Sequence, residues 1–120
     1  MELDKLVGIA STALDDMKAE DIQVIDIKGK SSMADTIILA SGSSTRHVKS
    51  LANAVSVAVK EAGEEPLGSE GEAEGEWVLV DLNDVIVHIM LPDVRDFYKL
   101  EKIWERPEAI EKVAAAREED

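Results

Sequence analysis

At 120 residues and 45% apolar, the chain has the length of one domain and enough apolar side chains for one core. With no cysteine it can form no disulfide, thiolate metal site or thiol nucleophile, and no apolar run approaches the ~18 residues of a membrane span, so a cytoplasmic protein is expected. A net charge of −13 disfavours direct binding to nucleic acid or to a membrane, whose surfaces carry phosphate, and favours a basic protein partner.

Leu3, Leu6, Val7, Ala10, Ala13, Leu14 and Met17 recur at three- and four-residue spacing, which predicts a helix from about Glu2 to Ala19. Ile22–Ile27 is β-branched and predicts a strand, closed by the turn-rich Lys28-Gly29-Lys30-Ser31-Ser32. Thr36–Ser41 is continuously apolar in its middle and predicts a strand covered on both faces. Gly42 ends it, and Ser43 or Ser44 caps a helix whose stripe is Val48, Leu51, Ala52, Val55, Ala58, Val59 and Ala62, stopped by Gly63. Glu64–Glu76, with Pro66, three glycines and six glutamates, reads as a loop with a short edge strand near Glu65–Leu67.

Trp77–Leu82 and Val85–Leu91 are two strand-like runs about Asn83-Asp84, an Asn placed where a tight hairpin needs positive φ. Pro92 ends the second. Val94–Trp104 reads as helical or turn-like, Pro107 as the first turn of a further helix, and Ala109–Arg117 as an Ala-rich tail. The order argues an α/β or α+β layer, helices packed on a mixed sheet.

Charge is uneven. Residues 1–60 hold 8 acids and 7 bases, whereas residues 61–120 hold 18 acids and 6 bases. An enzyme reading starts from Gly42-Ser43 before a helix, whose free N–H groups would hold a phosphate, with Asp81 and Asp84 as metal carboxylates, as in a nucleotidyltransferase. Against it, carboxylates sharing one face of a strand sit two residues apart, and Asp81 and Asp84 straddle a turn. His88, between Val87 and Ile89, reads as a hydrogen-bonded histidine on one sheet face, and His47 falls in the first turn of a helix. No HExxH, P-loop, Rossmann glycine set or GxSxG occurs, so no cofactor or metal is expected.

All four aromatic side chains, Trp77, Phe97, Tyr98 and Trp104, lie after residue 76. Singly each reads as core; as a group beside Asp81, Arg95, Lys99 and Glu101 they compose an interface, with aromatic anchors and a charged rim. The pattern W-V-L-x-D-x-x-D-V-x-V-H, then R-x-F-Y-x-L-E-x-x-W, with Ala34-Asp35 and Ser41-Gly42-Ser43-Ser44 upstream, resembles the bacterial ribosomal silencing factor family, also called Iojap-like.

The resemblance covers roughly Leu3 to Glu105 and implies a domain over residues 1–105 with a helical tail over 106–120. It implies a mixed sheet of about five strands flanked by helices, like a nucleotidyltransferase core without catalytic residues. The implied activity is not enzymatic: such proteins bind the large ribosomal subunit through its fourteenth numbered protein, block joining of the small subunit, and lower translation under nutrient limitation. Organellar relatives are linked to large-subunit assembly, and the family forms homodimers. By motif match, Trp77, Asp81, Asp84, His88, Arg95, Tyr98, Leu100, Glu101 and Trp104 border the partner surface. Trp77 is the expected apolar anchor and Asp81 and Glu101 the acceptors for partner Lys or Arg, while Phe97, Leu100 and Trp104 are expected to pack the C-terminal segment.

Overall fold

A computed structural model describes residues 1–29 and 34–98, the last of these, Tyr98, by its backbone alone. The order is α1 (Leu3–Asp16), β1 (Glu20–Asp26), β2 (Thr36–Ser41), α2 (Thr45–Glu61), β3 (Gly68–Glu70), β4 (Trp77–Asp81), β5 (Val85–Met90) and α3 (Pro92–Tyr98). The expected segments Lys30–Ser32, the Pro107 helix and the Ala-rich tail lie outside the described residues.

The five strands form one mixed sheet in the order β1-β2-β5-β4-β3. β2 and β5 pair in parallel and the other neighbours are antiparallel. Every residue of β2 and of β5 is buried, as an apolar run flanked on both edges and both faces requires. Alternation then divides the side chains. On one face Ile38, Ala40, Val78, Val80, Val85, Val87 and Ile89 meet Leu6, Ala10 and Leu14 of α1 and Val48, Leu51, Val55 and Val59 of α2. On the other, Ile25, Ile27, Ile37, Leu39, Leu79, Ile86 and Met90 form a second cluster, with Trp77 and Val94 packed against it. Each fully buried Val, Leu or Ile contributes about 1.5–3 kcal/mol of transfer free energy, so the two faces together carry the fold.

Boundaries follow local chemistry. α1 stops three residues before the expected end: Met17 closes it, Lys18 takes φ 64°, and Ala19 N–H donates back to the Leu14 carbonyl. Met17 therefore leaves the apolar stripe and is 44% exposed. α2 is capped by Ser44, whose hydroxyl accepts from His47 N–H at 3.1 Å. The edge strand begins at Gly68 instead of near Glu65, because Pro66 has no N–H to give a ladder; Leu67 N–H makes the first bond, 2.8 Å to the Asp81 carbonyl. Asn83 has φ 76°, the conformation the β4–β5 hairpin needs. Pro92 both follows the last strand and opens α3, its fixed φ and missing N–H suiting a first helical position.

Candidate functional site

Trp77 starts β4, the strand that follows the Glu-rich loop, and is only partly buried. It stands opposite Met90, and Met90 lies beside Ser41, so one row crosses the sheet from Ser41 through Met90 to Trp77. Two polar contacts are built around this row. The Trp77 indole Nε1–H donates to His88 Nδ1 at 2.9 Å, the rings 5.8 Å apart and tilted by 58°. Arg95, brought back by α3, donates from Nη1 to Ser41 Oγ at 3.2 Å, across 54 residues of chain.

His88 has no exposed surface, and desolvation pushes its pKa down from 6.5 to about 3, so the ring is neutral. An indole N–H can only donate, so Nδ1 is the unprotonated nitrogen and the proton sits on Nε2. That buried Nε2–H has no hydrogen-bond partner among the described residues. The expected role of His88, a hydrogen-bonded histidine on one sheet face, holds, with the partner now named. Complete burial keeps it from touching another molecule.

The structure splits the remaining candidates. Asp81 and Asp84 lie at the opposite end of the hairpin, and four residue steps along the strand put Asp81 about 13 Å from Trp77. Asp81 is 8% exposed, and its Oδ1 accepts from Asn83 N–H at 2.9 Å, so this carboxylate closes the turn before it can serve a partner. Asp84 is exposed, and its carbonyl accepts from the N–H groups of Asp35 and Thr36 at 2.9 and 3.1 Å, joining the turn to the start of β2. Phe97 is 77% exposed, while Val94 and Arg95 take the inward positions of α3; the C-terminal segment that Phe97 is expected to pack lies outside the described residues. The side chain of Tyr98, and Leu100, Glu101 and Trp104, lie outside the described residues.

The N–H groups proposed for a phosphate are occupied. Gly42 N–H donates to the Met90 carbonyl at 3.0 Å and Ser43 N–H to His47 Nδ1 at 2.9 Å. His47 has the partners that sequence reasoning did not find: with Nδ1 accepting, Nε2–H donates to the Met17 carbonyl at 2.8 Å and ties the end of α1 to the start of α2. Gly42 itself has no room for a side chain, since a Cβ would stand 2.8 Å from Val48 Cγ2. Among the described residues no three His, Asp or Glu side chains are grouped to hold a metal ion.

Beside the Ser41–Arg95 contact is an open cavity of about 450 Å³ lined by Asp21, Gln23, Ser41, Pro92, Arg95 and Asp96. Sequence reasoning placed Ser41 in the motif Ser41-Gly42-Ser43-Ser44 and at the end of a strand but gave it no role. Only the pairing of β2 with β5 puts it under Arg95.

A half-buried indole on a mixed sheet, an exposed phenylalanine on α3 and an acidic approach loop are the surface features of this end of the fold. The comparisons with known proteins give the family. The model of "Ribosomal silencing factor during starvation" matches residues 1–120, and the chain belongs to that family. It is 49% identical over 104 residues to the ribosomal silencing factor RsfS of Chromobacterium violaceum, covering 87% of this chain and 85% of that one. It is 31% identical to the mouse protein named mitochondrial assembly of ribosomal large subunit protein 1, covering 86% of this chain and 45% of that one. A crystal structure of a Chromobacterium violaceum protein superposes with a TM-score of 0.85 at 48% identity, covering 88% of each chain.

Proposed function

We propose that this protein is a cytoplasmic translational repressor that docks on the large ribosomal subunit through its fourteenth numbered protein and excludes the small subunit sterically. No chemistry is required: a small domain seated on the joining face blocks approach, and affinity sets its potency. Family membership supports the silencing role, and the mouse relative's name supports the large subunit as the place of action.

The observation that carries the reading is Trp77, an aromatic side chain left partly open at the end of an acidic loop and held from behind. Tryptophan is among the commonest residues at the energetic centre of an interface, and an acidic surround steers a basic ribosomal protein towards it. Phe97, exposed on α3, joins Trp77 in the proposed surface, with Arg95 shaping it from below and Tyr98, Leu100, Glu101 and Trp104 following in sequence. Asp81 and Asp84 serve this surface by setting the hairpin from its far end. Residues 1–105 make up the docking domain and 106–120 a tail, and the free protein forms a homodimer.

The test is subunit joining followed by sedimentation, with purified large and small subunits and the protein added before mixing. Wild type should travel with the large subunit and keep the two apart, and Trp77→Ala should bind at least tenfold more weakly, as removal of a central anchor costs about 2 kcal/mol or more. Normal joining, with the protein left at the top of the gradient, would refute the reading.

A further inference from the structure

We infer that His88 is a positioning residue for docking: its Nδ1 selects the rotamer in which Trp77 is presented, and His88 itself never meets the partner. The inference rests on the docking role proposed for Trp77 and deepens it.

Four observations carry it. His88 is fully buried in β5, flanked in register by Leu39 on β2 and Leu79 on β4, so its ring is surrounded by apolar neighbours. Its ring accepts a hydrogen bond from the indole N–H of a side chain that is itself only partly buried. The other ring nitrogen carries a proton and, among the described residues, no partner, a costly arrangement in a core, where polar groups are almost always satisfied. A leucine or methionine in that place would avoid the cost, so core packing alone does not account for an imidazole. What the imidazole supplies and a hydrocarbon cannot is an acceptor 2.9 Å from Trp77 Nε1.

The consequence for binding is preorganisation. A tryptophan at the head of a strand, with solvent on one side, can turn about two side-chain torsions. Held by His88, it occupies one of those states before the partner arrives, so less freedom is lost on docking. Without the acceptor, the indole N–H loses the contact that fixes it against the sheet from behind. The device is rigid because β4 and β5 are joined by a tight turn and paired along their whole length.

Three substitutions separate this role from simple packing. His88→Asn keeps an acceptor where Nδ1 stood, His88→Leu removes it while filling the space, and His88→Met provides a second apolar version should the leucine variant fail to fold. The readouts are the Trp77 indole ¹H–¹⁵N resonance, assigned by its loss in Trp77→Phe, its hydrogen-exchange rate, and co-sedimentation with purified large subunits. In the folded apolar variants the resonance should shift, exchange should accelerate at least tenfold, and binding should weaken roughly fivefold, the equivalent of one ordinary hydrogen bond. His88→Asn should stay within about twofold of wild type on exchange and binding. An indole that exchanges in His88→Leu and His88→Met as it does in wild type overturns the inference, as does equal weakening by the asparagine and apolar variants, which would make His88 a packing residue. Full binding by Trp77→Ala overturns the docking reading and the part of this inference that depends on it. The indole measurement separates the two failures, since it needs no ribosome.

Discussion

Lowering the pH from 7 to 5 should destabilise this protein through His88, and the size of the effect follows from its burial. The folded-state pKa, pushed down to about 3 by desolvation, lies below the 6.5 of an unburied imidazole. Between those values the unfolded chain binds one proton that the folded chain refuses, so stability is full above pH 6.5 and falls as pH falls towards 3. Each pH unit inside that window removes about 1.4 kcal/mol, which accumulates to about 2 kcal/mol by pH 5. With a urea slope of about 1–3 kcal/mol per molar for a small domain, the unfolding midpoint should drop by about 1 M. The assay is urea unfolding followed by circular dichroism at half-unit steps from pH 7 to 5, run in parallel on His88→Asn. The two proteins share every group except His88, so the difference between their curves isolates the contribution of His88. Curves that fall in parallel would show that the folded protein accepts the proton on His88 freely, and would refute the buried neutral tautomer on which the Trp77 contact depends.

Other sites give sharper local tests. Gly71 has φ 91°, and a Cβ there would overlap the Trp77 carbonyl oxygen, so Gly71→Ala should cost at least about 1–3 kcal/mol and lower the melting temperature by several degrees in calorimetry. Ser44→Ala removes the hydroxyl that accepts from His47 N–H and should cost about 1 kcal/mol, seen as a lower urea midpoint with unchanged slope. If acidic residues steer docking, the association rate on large subunits should fall as salt rises from 50 to about 300 mM, while the dissociation rate changes less; a salt-independent on-rate would remove steering from the account.

Much of the architecture is legible in local pattern. The continuous apolar run Thr36–Ser41 reads as a strand buried on both faces, and it is one, because only a side chain period without polar interruption survives between two strands and two layers. Asn83 reads as a hairpin turn, since few other residues tolerate its positive φ. Glu65–Leu67 misleads because composition marks the neighbourhood of an edge strand while Pro66 decides where the ladder can start. On the short helix α3 the inward position is chosen by how the helix lies on the sheet, and that choice gave Val94 and Arg95 the inner side.

The candidate site was readable as a list of residues and unreadable as a place. Trp77, His88 and Arg95 all stand out in the aromatic and charged stretch after residue 76, yet nothing in their spacing tells that the first two touch while Asp81 and Asp84 fall at the far end of the same hairpin. Register decides it: Trp77 faces Met90 and Asp81 faces Ile86, so the length of β4 lies between them.

The amino-acid sequence by itself determined which segments are helix or strand, which faces are apolar, the absence of any thiol chemistry, the acidic surface, and membership of the silencing-factor family, all of which depend on residue identity and short-range order. The tertiary structure decided that β5 inserts beside β2, that Ser41 therefore lies under Arg95, and that a buried histidine stands behind a half-open tryptophan. Those contacts join residues 11 and 54 positions apart, and they are set by how the whole chain packs its two apolar faces, a global balance that no local window contains.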